Sequence, residues 1–125
     1  AGYSLAGLFA LWAAYECDTF AGIACCSGSL WFKDWDIYMR EHKLKRKCSV
    51  YLSLGGKEEK TKNAVMEAVG DRTREQEKLL LEDPFAERVV LEWNPGGHFA
   101  DSGKRLAKGI RWLLEKLKLL HLVKL

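Results

Sequence analysis

Three short apolar runs, each followed by a segment long enough for a helix, constrain this chain more than any other feature. Residues 22–27 read Gly-Ile-Ala-Cys-Cys-Ser, residues 49–54 read Ser-Val-Tyr-Leu-Ser-Leu, and residues 88–93 read Arg-Val-Val-Leu-Glu-Trp. Runs this short and this apolar suit strands buried on both faces. The helix-length segments are residues 5–15, a short stretch at 35–42, a long one at 62–81 and a last one at 102–119. The 62–81 segment has a polar middle and is expected to kink near Gly70. In the last, Leu106, Ile110, Leu113, Leu117 and Leu120 form one apolar stripe, with Lys104, Lys108, Arg111 and Lys118 on the opposite side. Strands alternating with helices join by right-handed crossovers into a parallel sheet covered by helices. The expected class is α/β, with about three parallel strands and flanking helices.

A chain of 125 residues has room for one domain with its own core. A net charge of +3, with 20 basic against 17 acidic residues, lacks the basic excess that tracks phosphates, so nucleic acid is not an expected partner. No apolar run approaches the ~20 residues that span a bilayer. The four cysteines, Cys17, Cys25, Cys26 and Cys48, form no C-x-x-C pair. Adjacent Cys25 and Cys26 point to opposite faces of a strand and do not share a metal. Reduced, buried thiols and the absence of a basic segment before the first apolar stretch lead to a cytoplasmic expectation.

The chain opens with Gly2-Tyr3-Ser4-Leu5-Ala6-Gly7 and then runs small and apolar to Ala14. Such a segment is either a sharp turn that presents a serine before a packed helix, or a plain helix start with a serine cap. The choice depends on two other loops. Glu58 and Glu59 follow the second apolar run after Gly55-Gly56, and His98 follows the third after Pro95-Gly96-Gly97. Ligand chemistry in open α/β sheets gathers at the carboxyl ends of strands. A serine hydroxyl needs an imidazole to take its proton, and the imidazole needs a carboxylate to fix its tautomer. The order serine, acid, histidine is that of the α/β-hydrolases.

On these residues the chain resembles the C-terminal half of an α/β-hydrolase. It is similar in particular to the esterase D-like group, which includes siderophore trilactone esterases. The matching stretches are residues 2–7, residues 26–31 (Cys-Ser-Gly-Ser-Leu-Trp), residues 51–58 (Tyr-Leu-Ser-Leu-Gly-Gly-Lys-Glu) and residues 92–99 (Glu-Trp-Asn-Pro-Gly-Gly-His-Phe). The resemblance implies a serine carboxylic-ester hydrolase acting on a small-molecule ester, with no metal and no organic cofactor. Ser4 would be the nucleophile, His98 the general base and then acid, and Glu58 the orienting acid. Glu59 is the alternative acid if the count starts from Gly56. The backbone N–H of Leu5 would be one oxyanion donor. Tyr3, Trp31 and Phe32 are candidates for a substrate pocket, although Trp31, Phe32 and Trp35 serve equally well as core or lid packing.

The resemblance also implies a partial fold, a single C-terminal portion over residues 1–125. The strands before Ser4, including the one that carries it, are expected to lie outside the chain, together with the loop that gives the second oxyanion donor. An uncovered sheet edge invites association, either as a homo-oligomer or with the N-terminal half. A catalytically incomplete half-domain acting as an oligomerising or binding module is therefore a second reading. A membrane-binding role for the basic C-terminal helix is a third, weaker than plain packing of that helix on the sheet.

Overall fold

The computed structural model describes the backbone of residues 1–123 and the side chains of residues 1–115. In chain order the elements are β1 (Gly2–Tyr3), α1 (Leu5–Glu16), β2 (Gly22–Cys26), α2 (Trp35–Glu41), β3 (Cys48–Gly55), α3 (Val69–Leu81), β4 (Ala86–Asn94) and α4 (Ser102–Val123). Two 3-10 turns, Glu58–Lys60 and Met66–Ala68, lie between β3 and α3. The four strands form one parallel sheet in the order β1-β2-β3-β4.

The sheet has one strand more than expected. Gly2 and Tyr3 pair in parallel with Cys25 and Cys26, so a two-residue strand leads directly into Ser4. Two residues have no period to read, and only their pairing defines them as a strand.

Alternation along the strands sorts the core into two layers. Ile23, Cys25, Val50 and Leu52 face one side, where they pack with Leu8 and Leu11 of α1, Met39 of α2 and Leu80 of α3. Ala24, Cys26 and Tyr51 face the other side, against Leu106, Trp112 and Leu113 of α4. Cys25 and Cys26 thus belong to different layers. Burial pushes the Cys25, Cys26 and Cys48 thiols up, Cys48 to about 11, which leaves them protonated at neutral pH.

Two helices differ from their expected form. The α3 helix starts at Val69 rather than near residue 62. The Asn63 side-chain oxygen accepts the N–H groups of Val65 and Met66, and this local turn competes with helix. Val65, within that turn, is exposed. On α4, Leu106 and Leu113 do pack on the sheet, but Ile110 is exposed. The buried stripe is centred on Arg105, Gly109, Trp112 and Leu113. Gly109 favours this rotation: a Cβ there would lie 3.0 Å from the Tyr51 ring and 3.1 Å from Cys26 Sγ, so any larger residue would push those side chains back by a few tenths of an ångström. Leu117, Leu120 and Lys118 fall outside the described side chains, as does the proposed membrane-binding end. No helix among the described residues is long and apolar enough to cross a membrane.

A buried polar bridge ties the helices of the first layer together. Trp35 Nε1 donates to Gln76 Oε1 at 3.0 Å, and Gln76 Nε2 donates to the Tyr15 hydroxyl at 2.8 Å. Gln76 is fully buried, so its loss leaves an indole N–H and a phenol without partners. Gln76→Ala is expected to lower stability by about 3 kcal/mol in urea unfolding, and a loss under 1 kcal/mol, roughly one ordinary hydrogen bond, would contradict this account.

Candidate active site

All four strands point the same way, so their carboxyl ends lie along one rim of the sheet. Ser4 follows β1 directly. Its backbone adopts φ 61° and ψ −123°, a region that non-glycine residues seldom occupy. Its side chain makes no capping hydrogen bond to α1, which excludes the plain helix-cap alternative. The turn is held from several sides. Ser4 N–H donates to Cys26 O at 3.0 Å, and Ser4 O accepts from Gly7, Leu8 and Ser29. Its neighbours must be small: a Cβ on Gly2 would lie 2.2 Å from the Ala6 carbonyl oxygen, and one on Gly7 would lie 3.0 Å from Gly2 O.

This geometry puts the Ser4 hydroxyl against His98. The distance from Ser4 Oγ to His98 Nε2 is 3.0 Å, and His98 Nδ1 lies 2.5 Å from Glu58 Oε1. Serine, imidazole and carboxylate therefore form one hydrogen-bonded chain drawn from the ends of β1, β4 and β3. The imidazole is 29% exposed, whereas the Glu58 side chain is only 5% exposed. The other Glu58 oxygen, Oε2, accepts the Gly55 N–H at 2.6 Å and the Ser27 hydroxyl at 2.8 Å.

The two adjacent glutamates take different partners, and only Glu58 meets His98. Glu59 points away from His98 and pairs with Arg74 through both its oxygens, at 2.8 and 3.0 Å. It lies flat on α3, where a Cβ on Gly70 would fall 1.7 Å from Glu59 Oε2. The Arg74 guanidinium also covers the Trp93 ring at 4.9 Å. Glu59 thus latches the loop that carries Glu58. The Leu5 N–H belongs to the first turn of α1, whose donors have no acceptor within the helix.

The three pocket candidates separate. Trp31 lines the cleft above Ser4, about 270 Å³ in volume, together with Met66, Val69 and Phe99. Phe32 does not; it lines a second, apolar groove with Leu5, Phe9 and Trp12. The aromatic pair diverges because the chain turns between Ser29 and Trp35, with Phe32 N–H bonded to Ser29 O. Tyr3 is not a lining residue either. Its hydroxyl donates to the His98 carbonyl oxygen at 2.5 Å and accepts from Arg105 Nη1 at 3.2 Å, so it braces the His98 loop from below. Trp35, the third aromatic of that stretch, is buried in the core.

Three residues of the site had no assigned part in the sequence reading. Ser29 Oγ is 3.3 Å from Ser4 Oγ. Ser27 holds Glu58, and Arg105 lies beneath the whole group. The segment 26–31 did stand out by resemblance, which is the signal that leads to Ser27 and Ser29. Arg105 had no such signal, because a basic residue on an amphipathic helix reads as solvated.

A parallel sheet whose first helix starts at a strained serine, with that serine bonded to a histidine and the histidine to a buried acid, defines a portion of an α/β-hydrolase fold. Solved structures with the same fold include siderophore hydrolase EstA from Aspergillus nidulans, at TM-score 0.71 and 21% identity over 90% of this chain and 46% of that one. Siderophore hydrolase EstB from the same organism gives 0.70 and 23%, covering 87% and 45%. An IroE-like serine hydrolase from Shewanella oneidensis gives 0.71 and 18%, covering 91% and 39%. The chain therefore spans less than half the length of each of these structures. No protein-family model matches the sequence, and neither does any curated protein.

Two outcomes follow from this geometry. Gly2→Ala is expected to cost about 3 kcal/mol or more in unfolding measurements, because the clash is with backbone rather than a movable side chain. The second concerns acid. Hydrogen bonds from Arg74 hold the Glu59 carboxyl below its ordinary value of 4.5, and hydrogen bonds from Lys108 and Tyr51 do the same for Glu92. A carboxyl depressed in the folded state stabilises fully above its unfolded value, and this contribution is lost as pH falls through the folded value. The urea midpoint should thus fall on acidification from about pH 5 to about pH 3, and Glu59→Gln should flatten that fall. An unchanged slope in the variant would remove Glu59 from this account.

Proposed function

We propose that this chain is the C-terminal portion of a serine carboxylic-ester hydrolase of the α/β-hydrolase fold, acting on a small-molecule ester. The observation that carries the reading is the 3.0 Å contact between His98 Nε2 and the hydroxyl of a serine held at φ 61°. The names of the structural neighbours, two siderophore hydrolases and a serine hydrolase, support it from outside the chain.

The reaction runs through an acyl-enzyme. Ser4 Oγ attacks the ester carbonyl carbon while His98 Nε2 takes the hydroxyl proton. Glu58 keeps the imidazole in the tautomer with its proton on Nδ1 and stabilises the cation that forms. The negative charge that builds on the carbonyl oxygen falls towards the Leu5 N–H at the positive end of α1. His98 then gives its proton to the departing alkoxide. Water activated by His98 cleaves the acyl-serine and restores the hydroxyl, and an alcohol in place of that water would give acyl transfer. None of these steps draws on a metal or an organic cofactor. A second oxyanion donor belongs to an earlier loop in this fold, so full activity calls for the N-terminal half as partner. The buried, protonated thiols favour a reducing, cytoplasmic setting.

One feature favours a second reading, an association module. Leu5, Phe9, Trp12 and Phe32 are exposed side by side in the apolar groove along the helix that β1 leads into, and among the described residues β1 pairs on one side only. Apolar surface of this kind, like a strand edge, is usually covered by another polypeptide.

Fluorophosphonate labelling separates the two. The expected result is a single adduct on Ser4, identified by peptide mass spectrometry, that Ser4→Ala abolishes. His98→Ala should slow it by about 10³-fold or more. A folded sample that stays unlabelled but has the solution mass of an oligomer would overturn the esterase reading in favour of association.

A further inference from the structure

Arg105 is one of the largest side chains among the described residues to be almost wholly buried, at 2% exposure. An arginine in that position calls for a reason, since burial of a charge costs more than most packing returns. Its only charged neighbour among the described residues is Glu58: Arg105 Nη1 lies 3.6 Å from Glu58 Oε2. The same nitrogen donates to Ser27 Oγ and to the Tyr3 hydroxyl, both at 3.2 Å. Nη2 donates to the Pro95 carbonyl oxygen at 2.7 Å. One planar group thus touches the ends of all four strands.

We propose that Arg105 is a positioning residue for the Ser4–His98–Glu58 chain, fixing which oxygen of Glu58 is left for His98. This rests on the esterase reading given above. A carboxylate has two equivalent oxygens and is free to turn about its last bond. Here Oε2 is fully engaged by Gly55 N–H and Ser27 and faces the guanidinium, so Oε1 alone meets the imidazole. The base is held from the same origin: Arg105 bonds Tyr3, and Tyr3 bonds the carbonyl of His98. It also bonds Pro95, at the start of the loop that carries His98. Acid and base are thereby referenced to one rigid fork.

The fork shape matters as much as its charge. A guanidinium presents five N–H donors in a plane, whereas an ammonium radiates three from one point and cannot reach Pro95, Ser27 and Tyr3 together. The backbone has yielded space for that plane. A Cβ on Gly55 would fall 3.0 Å from both Nη1 and Nη2, and 2.5 Å from Gly96 O. Gly55 is also the residue whose N–H holds Glu58.

A purely structural arginine would staple α4 to the sheet without regard to Glu58, and a double-mutant cycle tells these roles apart. The readout is the rate at which a fluorophosphonate labels Ser4 in the full chain. Arg105→Lys keeps the charge and most of the bulk, and is expected to slow labelling about tenfold, the worth of a lost hydrogen bond to a charged group. Glu58→Gln is expected to slow it by about 10³–10⁴-fold. In the Glu58→Gln background, Arg105→Lys should cost well under tenfold, only the part exerted on His98 through Tyr3 and Pro95. The same tenfold loss in both backgrounds would overturn the proposal. A second readout does not depend on reactivity. In ¹⁵N-histidine-labelled protein, the Nδ1–H proton of His98 should exchange with water faster in Arg105→Lys than in the unsubstituted chain, and an unchanged exchange rate would also overturn the proposal. If Ser4 of the unsubstituted chain does not label, the esterase reading fails, and the exchange measurement alone decides the role of Arg105.

Discussion

Parallel pairing is the constraint on which everything else here depends. Four strands running in one direction bring four carboxyl ends to a single rim, and each end delivers a polar residue to one connected hydrogen-bonded group. Ser4 leaves β1, Ser27 leaves β2, Glu58 follows β3 and His98 follows β4. The register sets the spacing. Tyr3 stands opposite Cys26, Cys26 opposite Ser53, and Gly55 opposite Asn94, so the loops start level with one another. Antiparallel strands would have sent alternate loops to the opposite edge. The chemistry at the rim is thus a result of topology before it is a result of any one side chain.

Beneath the rim lies a layer of buried polar contacts that resolves an electrostatic difficulty. Glu58 is almost dry, and a buried carboxylate without partners is costly. It receives a backbone N–H, a serine hydroxyl and the imidazole, with a guanidinium nearby. The Glu59–Arg74 pair then fixes the loop from outside, so adjacent glutamates do opposite things: one faces inward to the imidazole and the other clamps the loop to α3. The strained backbone at Ser4 persists for a similar reason. Hydrogen bonds from β2 and the following loop over-determine it.

How far the sequence could be read depended on whether a signal was local. The three longer strands, the layers on either side of Cys25 and Cys26, and the serine–acid–histidine order were all visible as runs, alternation or loop chemistry. Four features were not. The strand Gly2–Tyr3 is too short to carry a pattern. The start of α3 was lost to an Asn63 turn that local propensity does not announce. The rotation of α4 was favoured by the close approach of Gly109 to Tyr51, a tertiary contact, and it turned Ile110 outward while it brought Arg105 inward. Among the aromatics, Trp31 reached the cleft while Phe32 took the other side of the turn, and sequence alone gives neighbouring residues in a loop no such ranking.

The division of two adjacent thiols between layers has a practical consequence. Cys25 faces the α1 side of the sheet and Cys26 the α4 side, and both are shut off from solvent. Alkylation of either thiol requires the layer above it to lift. The molecule therefore contains its own pair of clocks, one residue apart, that time the opening of its two halves separately. Since Cys26 sits under the same helix that carries Arg105, its clock also reports how firmly that helix is seated beneath the site.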